Sequence, residues 1–146
     1  MNIGIVGYKR HAAKHIDIIN KSKETYNLKI YHPSRCDTRI TNNFADLLLC
    51  DCIIISSPTN THIPYLRKLA NKNFKGNIYL EKPGFANIEE SYELEEIQRD
   101  LISNIFIGYN FAFDKRITKL KEIICTQNIG EIISVDILMS KGISYR

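Results

Sequence analysis

The chain has 146 residues, 44% of them hydrophobic and 25% charged, with a formal net charge of +4 at pH 7. That length suits one ordinary domain, which buries roughly 68 to 70% of its unfolded surface, and no apolar run approaches the ~20 residues of a membrane span. The basic residues are scattered, which argues against nucleic acid as a partner. The apolar start Ile3 to Val6 is short and runs directly into Gly7, so no signal peptide is visible and a cytoplasmic protein is expected.

In chain order, Ile3-Gly4-Ile5-Val6 reads as a short apolar strand, Arg10 to Asn20 as a helix with Ala12, Ala13, Ile16 and Ile19 at helical intervals, and Leu28 to Tyr31 as a second strand. Asn43 to Leu49 reads as a short helix and Cys52 to Ser56 as a strand so apolar that both faces should be covered. Thr61 to Asn71 follows as a helix capped by Asn60 or Thr61. Asn77 to Leu80 is the next strand, Ile88 to Leu101 an amphipathic helix with Glu89 and Glu90 in its first turn, and Ile105 to Gly108 a fifth strand. Five strands separated by helices predict an α/β fold: a doubly wound parallel sheet with helices on both faces.

The pattern changes after Gly108. Asp114 to Cys125 reads as a helix with Ile117, Leu120, Ile123 and Ile124 on one side, and Glu131 to Met139 as an alternating strand after an Asn128-Ile129-Gly130 turn. A lone strand there is an unpaired edge, which calls for a partner strand, another chain or a further domain. A homo-oligomer through this strand is therefore expected. Cys50 and Cys52 flank one residue at the mouth of a strand while Cys36 and Cys125 stand alone, so no zinc or redox spacing exists and reduced, mostly buried thiols are expected, with no metal site.

Ligands of doubly wound sheets lie beyond the carboxyl ends of the strands, and Glu81-Lys82-Pro83 follows the strand Ile78-Tyr79-Leu80. Lys82 therefore occupies a site position; a solvated loop lysine before a loop proline is the alternative.

The ordered segments Gly7 to Ala12 after the first strand, Ser56-Ser57-Pro58-Thr59-Asn60-Thr61-His62, Glu81-Lys82-Pro83, Gly108-Tyr109-Asn110-Phe111 and Ile129-Gly130-Glu131-Ile132 resemble the Gfo/Idh/MocA family along nearly the whole chain. This family includes glucose-fructose oxidoreductase and inositol dehydrogenase. The resemblance implies a dinucleotide-binding Rossmann domain over residues 1–112. Residues 113–146 would open an α/β domain that is truncated here, together with the aspartate and histidine that members usually place on one of its helices. The activity implied is NAD(P)-dependent oxidation of a sugar or nucleotide-sugar hydroxyl, weak or absent in so short a chain. A non-catalytic nucleotide-binding or assembly module derived from the fold is the alternative.

Residue by residue, the phosphate fingerprint G-x-G-x-x-G/A falls on Gly7, Tyr8, Lys9, Arg10, His11 and Ala12. Gly7 and Ala12 fit, but Lys9 stands at the middle glycine, where a side chain pushes phosphate away unless its own ammonium meets the anion. After the second strand, Tyr31-His32-Pro33-Ser34-Arg35 offers no carboxylate to an adenosine ribose. Ser34 and Arg35 suit a 2′-phosphate instead, so NADP is expected ahead of NAD, with a solvated arginine as the alternative. Ser57, Pro58, Thr59 and His62 match the segment on which the family lays the ribose and nicotinamide, although a histidine packed in the first helical turn would also explain His62. Lys82 matches the lysine that handles the proton of the oxidised hydroxyl, facing a crevice shared with the Gly7 turn. Glu81 either orients Lys82 or is paired at the surface, and Tyr109 and Asn110 lie on the substrate side.

Overall fold

A computed structural model describes residues 1–9, 11–101, 104–126 and 130–138. The chain divides into two units, Met1–Tyr109 and Asn110–Arg146. The first contains β1 (Asn2–Val6), α1 (His11–Asn20), β2 (Asn27–Tyr31), β3 (Ile40–Thr41), β4 (Cys52–Ile55), α2 (His62–Ala70), β5 (Asn77–Leu80), α3 (Ile88–Asp100) and β6 (Ile105–Ile107). The strands form one sheet in the order β3-β2-β1-β4-β5-β6, every neighbouring pair parallel. This is the doubly wound α/β sheet expected from the alternation of strands and helices.

The period of two along each strand divides the core between the faces. Ile3 and Ile5 of β1 and Ile54 of β4 pack with Ala12, Ile16 and Ile19 of α1. Val6, Ile53, Ile55, Ile78 and Leu80 point the other way, onto Leu66 and Leu69 of α2 and Ile97 of α3. Each fully buried leucine or isoleucine stabilises the fold by about 1.5–3 kcal/mol. Arg67 of α2 also pairs with Glu93 of α3.

Two elements differ from the sequence reading. β3 adds a sixth strand, and two residues are too few to show a period. Phe44–Leu49 is a 3₁₀ rather than an α-helix, started by Asn43, whose side chain accepts from the Ala45 N–H. Its Leu47 sits over Gly4 of β1, where an added Cβ would lie 2.8 Å from Leu47 Cδ2.

The second unit has a short 3₁₀ turn, Asn110–Phe113, and α4 (Lys115–Thr126). Asp114 caps α4: its Oδ1 accepts from the Arg116 N–H at 2.9 Å, and its carbonyl accepts from the Thr118 N–H at 2.9 Å. The alternating strand expected from Glu131 is not formed over residues 130–138, which have no strand partner among the described residues; Met139, Asn128 and Ile129 lie outside the described residues. Alternation favours a half-buried strand only where another strand supplies the hydrogen bonds. The expectation of mostly buried cysteines is corrected as well. Cys50 is buried and Cys52 partly so, but Cys36, on the β2–β3 loop, and Cys125, near the end of α4, are exposed; all four thiols are free.

Candidate functional site

The sheet reverses its order of winding at β1, whose neighbours are β2 and β4, and a crevice opens between strand ends at such a switch point. Gly7 makes the first bend out of β1 with a φ of +115°. A Cβ there would lie 2.7 Å from the Ser56 carbonyl oxygen. Conformation and space both exclude a side chain. Gly7 donates its N–H to the Tyr31 carbonyl at 3.2 Å and Ser56 donates to Val6 at 2.9 Å, so the ends of β1, β2 and β4 are tied together. The chain then enters α1, where the Ala12 N–H meets the Lys9 carbonyl at 3.0 Å. The first turn of α1 itself holds no acidic residue, which suits an anion at the positive end of the helix dipole.

A cleft of about 450 Å³ lies at this point. Gly7, Tyr8, Lys9 and His11 form one wall, and His32 and Pro33 after β2 form another; Ser56, Ser57, Pro58 and Thr61 after β4 and Tyr65 of α2 complete it. Tyr65 is stacked on Phe44, with ring centroids 6.2 Å apart, and both rings meet Tyr31 edge-on. Burial pushes the Tyr65 and Tyr31 phenols above their ordinary range, so both stay protonated in neutral solution.

The β4 loop differs in detail from the sequence reading. Thr61 stands at the N-cap of α2 without a side-chain capping bond. Its hydroxyl instead lies 2.7 Å from Ser57 Oγ and 2.6 Å from the Pro58 carbonyl oxygen. Asn60 and Thr59 belong to the 3₁₀ turn Thr59–Thr61 that leads into the helix. His62 is 1% exposed, and its Nε2–H donates to the Ser57 carbonyl at 3.0 Å. It packs in the first turn of α2 and braces the loop from behind. Among the described residues, the buried His62 Nδ1 and Ser56 Oγ have no hydrogen-bond partner.

The segment after β2 comes to the same cleft. The Arg35 guanidinium lies over the Tyr8 ring, 5.2 Å from its centroid, and thus joins the β1 turn to the β2 turn. The Ser34 N–H lies 3.3 Å from His32 Nδ1. Arg10 lies outside the described residues.

At the end of β5, Glu81 reaches α1. His15 Nε2–H donates to Glu81 Oε1 at 2.7 Å, His11 Nδ1 is 4.0 Å from the same oxygen, and Glu81 Oε2 accepts the backbone N–H of Lys82 at 3.2 Å. Glu81 therefore holds the Lys82 peptide rather than its ammonium. Lys82 is exposed at the C-terminal rim, the Lys82–Pro83 peptide is cis, and the residues lining the 450 Å³ cleft do not include it. Sequence reasoning missed His15 and Tyr65, and it gave Ser56 and His32 no role of their own within the segments it singled out. The four-residue spacing of His11 and His15 was the one available signal, since it places both on one helix face. Among the described residues no three His, Cys, Asp or Glu side chains are grouped to hold a metal, and no helix is long and apolar enough to cross a membrane.

Residues 1–109 match the Gfo/Idh/MocA oxidoreductase family, NAD-binding Rossmann fold. The chain belongs to this family. It is 27% identical over 140 residues to the uncharacterized oxidoreductase YrbE of Bacillus subtilis, covering 87% of this chain and 40% of that protein. It is 30% identical over 81 residues to the myo-inositol 2-dehydrogenase of Thermotoga maritima, covering 56% of this chain and 24% of the enzyme. The chain thus spans less than half the length of these relatives. Among solved structures, the WlbA dehydrogenase of Bordetella pertussis in complex with NADH and UDP-GlcNAcA superposes with a TM-score of 0.70 at 17% identity, covering 88% of this chain and 43% of that one. The apo scyllo-inositol dehydrogenase of Lactobacillus casei gives 0.69 at 20% identity, covering 89% and 42%. These two likenesses concern the fold.

Proposed function

We propose that the chain binds a nicotinamide dinucleotide in the cleft between the ends of β1 and β4 and serves the oxidation or reduction of a sugar or nucleotide-sugar hydroxyl. The observation that carries this reading is the cleft at the switch point: Gly7, at positive φ and packed against the Ser56 carbonyl, lets the β1 turn lie close to the β4 loop and brings Tyr8, Lys9 and His11 to the cleft wall. The unpartnered Ser56 Oγ in the same wall is a polar atom available to a ligand. The donor set fits the group. Gly7, Tyr8 and Lys9 would take the pyrophosphate, the Lys9 ammonium doing by charge what a middle glycine does by absence. Ser57, Pro58 and Thr59 would face the ribose and nicotinamide, with His62 acting on them through Ser57 rather than by direct contact.

The cofactor supplies the hydride acceptor or donor. Lys82, exposed on the rim, holds or receives the proton of the reacting hydroxyl. Ser34 and Arg35 favour a 2′-phosphate, so NADP is the preferred form. The substrate class follows the family's dehydrogenases of polyols and nucleotide sugars, such as the relatives named above.

The test is titration with NADPH and NADH by fluorescence or calorimetry. Binding in the micromolar range, tighter for NADPH, is expected; no binding at millimolar cofactor overturns the reading. A second reading, a nucleotide-binding module without turnover, is favoured by Lys9 at the middle glycine position, and cofactor binding with no turnover of any polyol or nucleotide sugar would select it.

A further inference from the structure

We propose that Glu81 and His15 are positioning residues that hold the phosphate-side turn and the Lys82 loop in one register. The inference rests on the dinucleotide reading above. One carboxylate makes the link. Its Oε1 accepts the His15 Nε2–H at 2.7 Å, and its Oε2 accepts the Lys82 backbone N–H at 3.2 Å. The two side chains are mostly withdrawn from water, at 22% exposure for His15 and 14% for Glu81. His15 also packs edge-on against Tyr79 of β5, with ring centroids 5.5 Å apart. One turn earlier, His11 lies 4.0 Å from the same carboxylate oxygen and lines the cleft.

An apolar pair would dock α1 on the sheet equally well, and a half-buried carboxylate is costly without polar partners. What the carboxylate adds is direction. It ties the helix whose first turn would meet the phosphates to the peptide that sets the start of the Lys82 loop. Hydride and proton transfer need both ends of the cofactor site in register, and a displacement of about 1 Å costs on the order of a hundredfold in rate. The bond therefore sets the distance between the two halves of the site, while neither residue touches the reacting atoms.

Two variants separate the bond from the packing. His15→Phe keeps a ring against Tyr79 and removes the donor; His15→Gln removes the ring and keeps an N–H donor at similar reach. The readout is the rate at which an amine-acylating reagent labels Lys82, followed by mass spectrometry with and without saturating NADPH, alongside the NADPH affinity of each variant. In the wild type, NADPH slows labelling of Lys82 several-fold. His15→Phe binds NADPH but loses this protection, and His15→Gln keeps it; should the phenylalanine variant not fold, His15→Ala, which opens the carboxylate to water, takes its place. Any other pattern between the two variants overturns the proposal. NADPH that binds the wild type without slowing the labelling overturns the proposal and leaves the dinucleotide reading standing, whereas NADPH that does not bind removes both.

Discussion

The two units of the chain treat the same kind of residue in opposite ways. Between Ile3 and Leu101, most isoleucines and leucines of the strands and of the inner faces of α2 and α3 are buried between sheet and helices, among them Ile5, Ile53, Ile55, Leu66, Leu69, Ile78, Leu80 and Ile97. From Asn110 on, Ile117, Leu120 and Ile124 of α4 are exposed, as are Ile133, Val135 and Ile137. Both stretches carry apolar periodicity; what separates them is whether another element of the same unit supplies a second layer. Periodicity specifies a face, and a fold needs a partner for that face.

The comparison is broken most forcefully by truncating one leucine on each side. Leu66→Ala, at a fully buried position, should cost about 2–5 kcal/mol, while Leu120→Ala should stay within about 0.5 kcal/mol. Urea unfolding measures both, and equal costs would mean that the face of α4 is covered in solution.

Gly7→Ala comes next, at about 1–3 kcal/mol, because the residue is held at positive φ against the Ser56 carbonyl. The same change should weaken NADPH binding at least tenfold in a fluorescence titration. A variant of normal stability and affinity would show that the β1 turn can open.

Lys9 sharpens the reading of the turn with a smaller effect. If its ammonium meets phosphate, Lys9→Ala weakens binding a few-fold and flattens its salt dependence. If it obstructs, Lys9→Gly strengthens binding. Affinities of the two variants across a salt series decide, and equal affinity throughout would mean that the turn is not used.

The smallest expected effect belongs to the second unit. Hydrogen bonds from the Arg116 side chain and backbone lower the Asp114 carboxyl from 3.8 to about 2. A group with a depressed folded value stabilises above its unfolded value, so this contribution is present above pH 3.8 and is lost as the pH falls toward 2. Because the partner Arg116 is exposed to solvent, salt should weaken the effect. Circular dichroism of Asp114→Asn against the wild type between these limits checks it: the wild type should lose helix on acidification, and the variant should show no such step.

The sheet, its winding and most helix bounds were legible because long apolar periods and the glycine, asparagine and proline signals between them act locally. β3 was not, since two residues paired to β2 through Ile40 and Thr41 carry no period. The expected strand from Glu131 shows the reverse error, a period with no partner strand among the described residues. At the site, strand-end logic put Gly7, Ser57 and Glu81 at the rim, but His15 and Tyr65 reach it from helix faces that only tertiary packing aligns. Arg35 was placed beside a 2′-phosphate by its position after β2, but its packing over the Tyr8 ring is a contact that only the fold brings about. The role of Glu81 was hidden because its partner on α1 is 66 residues away in the chain.

The central claim is that the crevice between β1 and β4 takes the dinucleotide. Amide chemical-shift mapping with NADPH tests it most directly. The account predicts perturbations concentrated at Gly7 to His11, His32 to Arg35 and Ser56 to Thr61, with α4 unchanged. Shifts confined to other surfaces, or none at millimolar NADPH, would contradict it.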